Sequence, residues 1–181
     1  AFIADVQAAI ADDQPVCIAS TAFALVHVLD ALEQRSLILP LPAGSRIMET
    51  GGFKGRSRIV ERDALYAELR HRFVCPDDAI IAEYGMTELT SQYYDAVPLG
   101  ARYKVSPPWL RVRVVGPDGR SVRNGIVGSL VHVDLANRSS CVAIATEDLG
   151  AAFDEGLVLI GRERGAALRG CSLDAEALRR R

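Results

Sequence analysis

The stretch that decides the fold is "IIAEYGMTELTSQYYD", residues 80–95. It begins as a short apolar run, which is typical of a buried strand, and the run ends before Gly85. An aromatic ring, a glycine, a hydroxyl and a carboxylate follow one another within residues 84–88. One interpretation is a strand that leads into a turn with a solvated Glu88. The other is a ligand-binding turn, and the choice depends on the elements around it.

Helices and strands alternate in the first half of the chain. Helices are predicted where apolar residues recur three and four positions apart, and strands where short apolar runs end at turn residues. Thr21 offers an N-cap to the second helix. Because helices separate the strands, the order favours βαβ units and a parallel sheet. The predicted helices cover residues 2–11, 21–34 and 61–73, and the predicted strands cover residues 15–20, 45–50 and 79–84.

The pattern changes after residue 100. Residues 110–115 and 128–135 alternate in the manner of antiparallel strands, and Pro-Asp-Gly at 117–119 predicts a turn between them. Residues 155–162 predict one more strand, and residues 172–181 a short closing helix. The sequence therefore predicts an α/β fold in which a parallel α/β sheet is followed by a β-rich part.

Composition limits the function classes. The chain has 181 residues, 49% of them hydrophobic, with a net charge of −2, which is enough for one domain with a full core. No apolar stretch reaches the roughly 20 residues that span a bilayer, and no basic cluster marks a nucleic-acid surface. Four scattered cysteines and three histidines favour neither a zinc site nor disulfides, so we expect a cytoplasmic protein. Because the first residue is not Met, we expect a piece of a longer polypeptide.

Two of the predicted strands end at turns with chemically useful residues. "GGFKG" follows the strand at 45–50, and "YGMTE" closes the strand at 79–84. In open parallel sheets, ligands bind beyond the carboxyl ends of the strands. Glycines at 51, 52 and 85 would let the backbone approach a planar ligand. In the second turn, Tyr84 could stack on a base, Thr87 could donate to a phosphate oxygen and Glu88 could hold a magnesium ion.

Three ordered motifs carry a resemblance to a known family. "EYGMTE" (83–88) resembles the aromatic-Gly-x-Thr-Glu motif of the adenylate-forming superfamily, which holds acyl-CoA synthetases, firefly-type luciferases and peptide synthetase adenylation domains. "ATEDLG" (145–150) resembles the family's Thr-Gly-Asp-Leu-Gly, with Glu147 in place of the glycine. "GLVLIGRERGAALRG" (156–170) resembles the segment that leads through Gly-Arg to the hinge.

The resemblance implies a fold, a reaction and cofactors. The chain would be the C-terminal part of the family's large domain, with an α/β lobe over 1–100, a β-rich part over 101–165 and a hinge with a short C-terminal segment over 166–181. The implied reaction uses ATP and Mg²⁺, and it joins a fatty acid or another carboxylic acid to AMP. The implied residue roles are adenine and acyl contact for Gly51 and Gly52, adenine stacking for Tyr84 next to Gly85, α-phosphate contact for Thr87, metal binding for Glu88, ribose binding for Asp148 and a hinge and ribose contact for Arg162.

The departures from the family pattern are also informative. The family's phosphate loop, rich in Ser, Thr and Gly and usually ending in Pro-Lys-Gly, has no counterpart in this chain. No lysine follows Lys104, so the chain carries no candidate for the lysine of the family's C-terminal lid. We therefore expect that these residues alone do not form a competent adenylating enzyme.

Within the superfamily, the chain is most similar to the acyl-protein synthetase branch of the bacterial bioluminescence fatty-acid reductase system, followed by phenylacetate–CoA ligases. That branch passes its acyl group to a cysteine near its C-terminus and then to a reductase subunit, and Cys171 in "LRGCSLD" fits this position. Arg169 and a helix N-terminus would favour the Cys171 thiolate. The alternative for Cys171 is a small apolar residue that packs against the sheet.

Two other functions stay open at this point. A ligase could hand its acyl group to coenzyme A, with Cys171 inert, or the chain could be a non-catalytic nucleotide-binding scaffold. Among the remaining reactive residues, Cys17 and Cys141 are expected in the core. His132 alternates within a predicted strand, where the sequence shows no partner for it.

Overall fold

A computed structural model of the chain describes residues 1–51, 60–96 and 102–163. These residues form two compact units, of which the first holds residues 1–82 and the second begins at Glu83. The domain boundaries that the sequence predicts at residues 100 and 165 stay predictions. No helix in the described ranges is long and apolar enough to cross a membrane.

The first unit alternates helices and strands, as the sequence predicts. Its strand order is β1-β2-β3, and β1 runs parallel to β2, with Cys17 opposite Arg46 and Thr21 opposite Thr50. The βαβ arrangement is confirmed. The elements are α1 (Phe2–Ala11), β1 (Cys17–Thr21), α2 (Ala22–Gln34), β2 (Arg46–Thr50), α3 (Arg62–Phe73), a short 3₁₀ helix (Asp77–Ala79) and β3 (Ile80–Tyr84).

Local signals explain why α2 forms where it does. The Thr21 hydroxyl accepts a hydrogen bond from the Ala24 amide at 3.2 Å, which confirms the predicted N-cap. The helix buries one apolar stripe that recurs three and four positions apart, including Leu25, Leu29 and Leu32. This stripe joins one hydrophobic core with Leu69 of α3 and other buried residues of the first unit.

The second unit is built from antiparallel strands. Its order is β4-β5-β9-β8-β7-β6, and the last two residues of β3 pair with β4, Glu83 opposite Tyr94 and Tyr84 opposite Tyr93. Every strand pair in this unit is antiparallel, which confirms the predicted β-rich half. The strands are β4 (Tyr93–Ala96), β5 (Tyr103–Val105), β6 (Leu110–Val115), β7 (Gly128–Asp134), β8 (Ala143–Phe153) and β9 (Gly156–Arg162).

A buried ion pair links β4 to β5. Asp95 and Lys104 lie directly opposite each other in the strand register, and Lys104 Nζ lies 2.7 Å from Asp95 Oδ1. The side chain of Asp95 is 0% exposed and that of Lys104 is 3% exposed. Arg102 NH1 lies 3.4 Å from the other carboxylate oxygen. Lys104 is therefore held in a structural pair inside the second unit.

The structure corrects one expectation about cysteines. Cys17 and Cys141 are exposed, so the prediction that both lie in the core is wrong. In β1 the side chains alternate, and Ile18 takes the buried face, which leaves Cys17 on the open face. Cys141 lies in the β7–β8 connection, two residues before β8 begins. The predicted helix over residues 172–181 lies outside the described residues.

Candidate nucleotide site

The turn after β3 carries the hydroxyl and the carboxylate that the sequence singles out. The Leu89 amide donates to the Met86 carbonyl at 3.1 Å, which closes a tight turn with Thr87 and Glu88 at its centre. Both central side chains are exposed, and the Thr87 hydroxyl donates to Glu88 Oε2 at 3.2 Å. The turn therefore presents a hydroxyl and a carboxylate to solvent, directly beyond the end of β3.

Gly85 joins β3 to this turn at a crowded position. A Cβ atom added there would lie 2.4 Å from Glu83 Oε1 and 3.1 Å from Gln92 Cγ. Any larger residue would push the Glu83 carboxylate aside. The glycine thus permits the close approach of two side chains beside the turn.

Tyr84, Asp148 and Arg162 come together in the second unit, although 64 residues separate the first two. The Tyr84 hydroxyl donates to Asp148 Oδ2 at 2.7 Å. Arg162 Nε lies 2.9 Å from Asp148 Oδ1, and the two residues face each other across β8 and β9. The three residues come from three motifs that are separate in the sequence.

Asp148 keeps acceptor capacity despite these contacts. A carboxylate offers about four lone-pair positions, and the hydrogen bond from Tyr84 uses one of them, while Arg162 lies within ion-pair distance. The side chain of Asp148 is 18% exposed, so part of it faces solvent. An acceptor-only group with this reach suits a pair of hydroxyl donors such as those of a ribose.

Arg162 bridges two neighbouring acidic residues. Its NH2 atom lies 3.1 Å from Glu147 Oε2, while its Nε atom faces Asp148. The β8–β9 register shifts between Leu149 and Gly150, which is the mark of a β-bulge. Glu147, the departure from the family's glycine, pairs with the arginine of the third motif.

A buried histidine lies behind Tyr84. His132 is fully buried on β7, its Nε2 atom lies 3.2 Å from the Tyr84 hydroxyl, and its Nδ1 atom lies 2.8 Å from the Tyr93 hydroxyl. Burial lowers the pKa of His132 to about 4, although Asp148 acts in the opposite direction. Burial also raises the pKa of Tyr84, and the hydrogen bond to Asp148 adds to that rise. The imidazole is therefore neutral at pH 7.

Asp134 anchors the segment that follows the turn. The carboxylate is fully buried at the end of β7, and it accepts hydrogen bonds from the Thr90 amide at 3.0 Å and the Ser91 amide at 2.8 Å. It also accepts from the Ser91 hydroxyl and the Ala136 amide, each at 3.0 Å. Burial alone would raise the pKa of Asp134, but these hydrogen bonds outweigh it and hold the pKa below its usual value.

Asn137 fixes the same segment from the β7–β8 connection. Its amide nitrogen donates to the Glu88 carbonyl at 2.7 Å and to the Cys141 carbonyl at 2.9 Å. Its amide oxygen accepts from the Thr90 hydroxyl at 3.2 Å. Asp134 and Asn137 together determine where Thr87 and Glu88 lie.

The predicted site residues have different outcomes. Gly85, Thr87 and Glu88 form one turn, and Tyr84 contacts Asp148. Gly51 directly follows β2 in the first unit and has φ of +66°, which glycine adopts without strain. Gly52 and Cys171 lie outside the described residues. Three residues that support the site were not predicted from the sequence as part of it: His132, Asp134 and Asn137.

The residues of this turn fit a magnesium ion that is bound together with a nucleotide. In the described part of the chain, no group of three His, Cys, Asp or Glu side chains is arranged to hold a metal. Mg²⁺ bound with a nucleotide needs only one or two carboxylates, with phosphate oxygens and water as its other ligands. The exposed Glu88 carboxylate at the turn meets that requirement.

Solved structures with the same fold were found by structural comparison. McyG A-PCP, complexed with phenylalanyl-adenylate, is 16% identical with a TM-score of 0.62 and matches 88% of this chain and 28% of its own. The O-succinylbenzoate coenzyme A synthetase of Bacillus subtilis, in complex with AMP, is 21% identical with a TM-score of 0.57, and the match covers 91% of this chain and 43% of the synthetase chain. The luciferase-like enzyme of the Zophobas morio mealworm is 17% identical with a TM-score of 0.58, and the match covers 90% of this chain and 41% of the mealworm chain.

The chain has the fold of part of an adenylate-forming enzyme. This confirms the predicted fold class. The chain spans less than half the length of each of the three solved chains described above. No protein-family model and no curated protein sequence matches the chain. At identities this low, the likeness establishes the fold, and the activity has to be argued from the site.

Replacing Asn137 by alanine is expected to destabilise the second unit by about 1–3 kcal/mol, because two carbonyls lose their donor in a partly buried setting. Amide exchange in residues 86–91 should accelerate as well, since the Glu88 carbonyl is released. Urea denaturation and hydrogen exchange measure both effects. Asn124→Ala is the matched control, because Asn124 pairs with Asp154 at the exposed surface and should cost less than about 0.5 kcal/mol. Equal losses of unfolding free energy in the two variants would contradict the role of Asn137 in fixing the turn.

Proposed function

We propose that this chain forms the nucleotide-binding part of an ATP-dependent ligase that activates a carboxylic acid as an acyl-adenylate. The observation that carries the proposal is the contact of Tyr84 with Asp148 at 2.7 Å and of Asp148 with Arg162 at 2.9 Å. Residues from three separate motifs thereby form one polar cluster. A random likeness of short motifs would not bring them into contact.

In the proposed reaction, a carboxylate oxygen attacks the α-phosphorus of ATP. An oxygen–phosphorus bond forms, the bond to the β-phosphate bridging oxygen breaks, and pyrophosphate leaves with the electron pair. The ring of Tyr84 would face the adenine, and Asp148 would accept hydrogen bonds from the ribose hydroxyls. Thr87 would donate to an α-phosphate oxygen, where charge develops.

Glu88 would hold Mg²⁺, which supplies charge neutralisation at the phosphate oxygens when bound. The protein contributes the position of that carboxylate. Asn137, in the β7–β8 connection, donates to the Glu88 carbonyl at 2.7 Å, and this contact restrains the turn. Preorganised donors and charges of this kind stabilise a transition state without reorganisation.

Binding of AMP to the chain tests the proposal most directly. Wild-type chain titrated with AMP in a calorimeter should show saturable binding, and Asp148→Asn should weaken it by about 10- to 100-fold, because hydrogen bonds to a charged acceptor are lost. Asp154→Asn is the matched control, since Asp154 is an exposed carboxylate of the same unit that pairs with Asn124. Absence of AMP binding, or equal affinity of Asp148→Asn and wild type, would refute the proposal.

The finer proposal concerns the acyl acceptor. We propose a long-chain-fatty-acid–protein ligase, which passes the acyl group from the adenylate to the Cys171 thiolate as a thioester and then to a reductase subunit. Its support is the sequence around Cys171, with Arg169 two residues before it. The alternative is an acyl- or aryl-CoA ligase, which the likeness to a coenzyme A synthetase supports at the level of fold.

Mass spectrometry separates these acceptors. The complete polypeptide, incubated with ATP, Mg²⁺ and tetradecanoic acid, should gain an acyl group that hydroxylamine removes, and Cys171→Ser should not gain it. Cys141→Ser is the control, because Cys141 is also a single cysteine and is exposed. Pyrophosphate release without an adduct would favour coenzyme A as acceptor. AMP binding without pyrophosphate release would favour the scaffold.

A further inference from the structure

Four side chains of the second unit form a continuous row of hydrogen bonds. The Tyr93 hydroxyl lies 2.8 Å from His132 Nδ1, His132 Nε2 lies 3.2 Å from the Tyr84 hydroxyl, and the Tyr84 hydroxyl lies 2.7 Å from Asp148 Oδ2. Tyr93 is 1% exposed and His132 is 0% exposed. The row leads from the core of the unit to a carboxylate that is partly exposed.

The chemistry of the four groups determines the direction of every hydrogen bond. An ionised carboxylate can only accept, so the Tyr84 proton points to Asp148. The Tyr84 oxygen has no second proton and must accept from His132, which places the histidine proton on Nε2. A neutral imidazole with its proton on Nε2 has an acceptor at Nδ1, and Tyr93 donates to it. One tautomer of His132 therefore satisfies all three contacts.

Loss of the Tyr93 hydroxyl would remove this constraint. His132 Nδ1 would have no donor, and the tautomer with its proton on Nδ1 would become accessible. In that tautomer Nε2 is an acceptor, and it competes with Asp148 for the Tyr84 proton. The hydrogen bond to Asp148 would then be broken in a fraction of the molecules, and the carboxylate would be less firmly oriented.

We propose that Tyr93 and His132 are positioning residues, which act through Tyr84 to orient the Asp148 carboxylate for the ribose hydroxyls of a bound nucleotide. This inference rests on the proposed function for the identity of the ligand. Neither residue touches the nucleotide. The partly exposed Asp148 receives its orientation from a buried histidine tautomer, 16 residues away in the chain.

Nitrogen-15 NMR of the histidine side chains in the full chain tests this row of hydrogen bonds without any ligand. The signal of His132 can be assigned with a His132→Gln variant, since the chain has three histidines. Wild type should show one neutral tautomer, protonated at Nε2, and Tyr93→Phe should show a mixture of both. Tyr94→Phe is the matched control, because Tyr94 is the neighbouring residue and is 42% exposed. An unchanged tautomer in Tyr93→Phe would overturn the proposal.

A double-mutant cycle on AMP binding tests the positioning role. Tyr93→Phe should weaken AMP binding by about three- to tenfold in the wild-type background, which is the effect of one hydrogen bond. It should have no further effect in the Asp148→Asn background, because its action passes through Asp148. The same loss in both backgrounds would indicate a general structural effect and overturn the proposal. If Tyr93→Phe changes the His132 tautomer but neither wild type nor any variant binds AMP, the proposed function is wrong. The role of Tyr93 and His132 in positioning a nucleotide is then wrong as well.

Discussion

Replacing Lys104 by methionine is expected to lower the free energy of unfolding of the second unit by about 3 kcal/mol. Removal of one partner from a buried ion pair leaves an uncompensated charge, which typically costs about 3–5 kcal/mol. The carboxylate of Asp95 would remain with 0% exposure. We expect the lower end of the range because Arg102 stays 3.4 Å from that carboxylate. Trp109 is the single tryptophan and lies in the second unit, so its fluorescence during urea denaturation reports the loss.

Two further variants make this prediction specific. The double variant Asp95→Leu with Lys104→Met should regain most of the stability, because a well-packed apolar pair replaces a buried ion pair at little cost. Arg70→Met is the surface control, and because Arg70 lies in the first unit its stability is measured by circular dichroism. Arg70 pairs with Asp77, but both side chains are more than 40% exposed, so its loss should cost about 0–1 kcal/mol. A double variant that is less stable than Lys104→Met alone would contradict the buried-charge explanation.

Local patterns were sufficient to predict much of the fold. The helix α2 has a threonine cap and an apolar stripe, and both signals lie within 14 residues, so the sequence shows them directly. The strands β6 and β7 are predicted by alternation and by the Pro-Asp-Gly turn between them. By contrast, β4 has four residues and β5 has three, which is too short for a period to be read. β8 was missed because its motif residues, including Glu147 and Asp148, interrupt the apolar pattern expected of a strand.

In the candidate site, too, some residues could be identified from the sequence and others could not. Tyr84, Thr87, Glu88, Asp148 and Arg162 stand in motifs, so each could be named from a short stretch. Their roles as nucleotide and metal ligands stay predictions.

His132 and Asp134 could not be assigned from sequence, because their partners lie 39 to 48 residues away and only the strand register brings them together. The sequence did offer one signal: His132 and Asp134 are polar residues at alternate positions of an otherwise apolar strand, and such residues need hydrogen-bond partners when they are buried.

Asp134 provides the largest expected effect. Its carboxylate accepts four hydrogen bonds from three residues, and alanine would leave those buried or partly buried donors without this acceptor. Each unsatisfied donor costs about 1–3 kcal/mol, although water entering the space left by the side chain lowers the sum, so we expect a loss of about 4 kcal/mol or more. Circular dichroism during urea denaturation measures it. Asp118→Ala is the control, since Asp118 accepts one hydrogen bond in an exposed turn and should cost less than about 1 kcal/mol.

The pH dependence of stability distinguishes the Asp134 carboxylate from a merely well-packed side chain. The folded pKa of Asp134 lies below its unfolded value of 3.8, so the folded state binds fewer protons than the unfolded state in the interval between them. The stability that Asp134 contributes is therefore fully present above that interval and is lost as the pH falls through the folded pKa. Asp134→Asn cannot titrate, so its unfolding free energy should decline less steeply below about pH 4 than that of wild type. If the unfolding free energies of the two proteins fall equally steeply at acid pH, the carboxylate charge is not what holds residues 90 and 91 to β7.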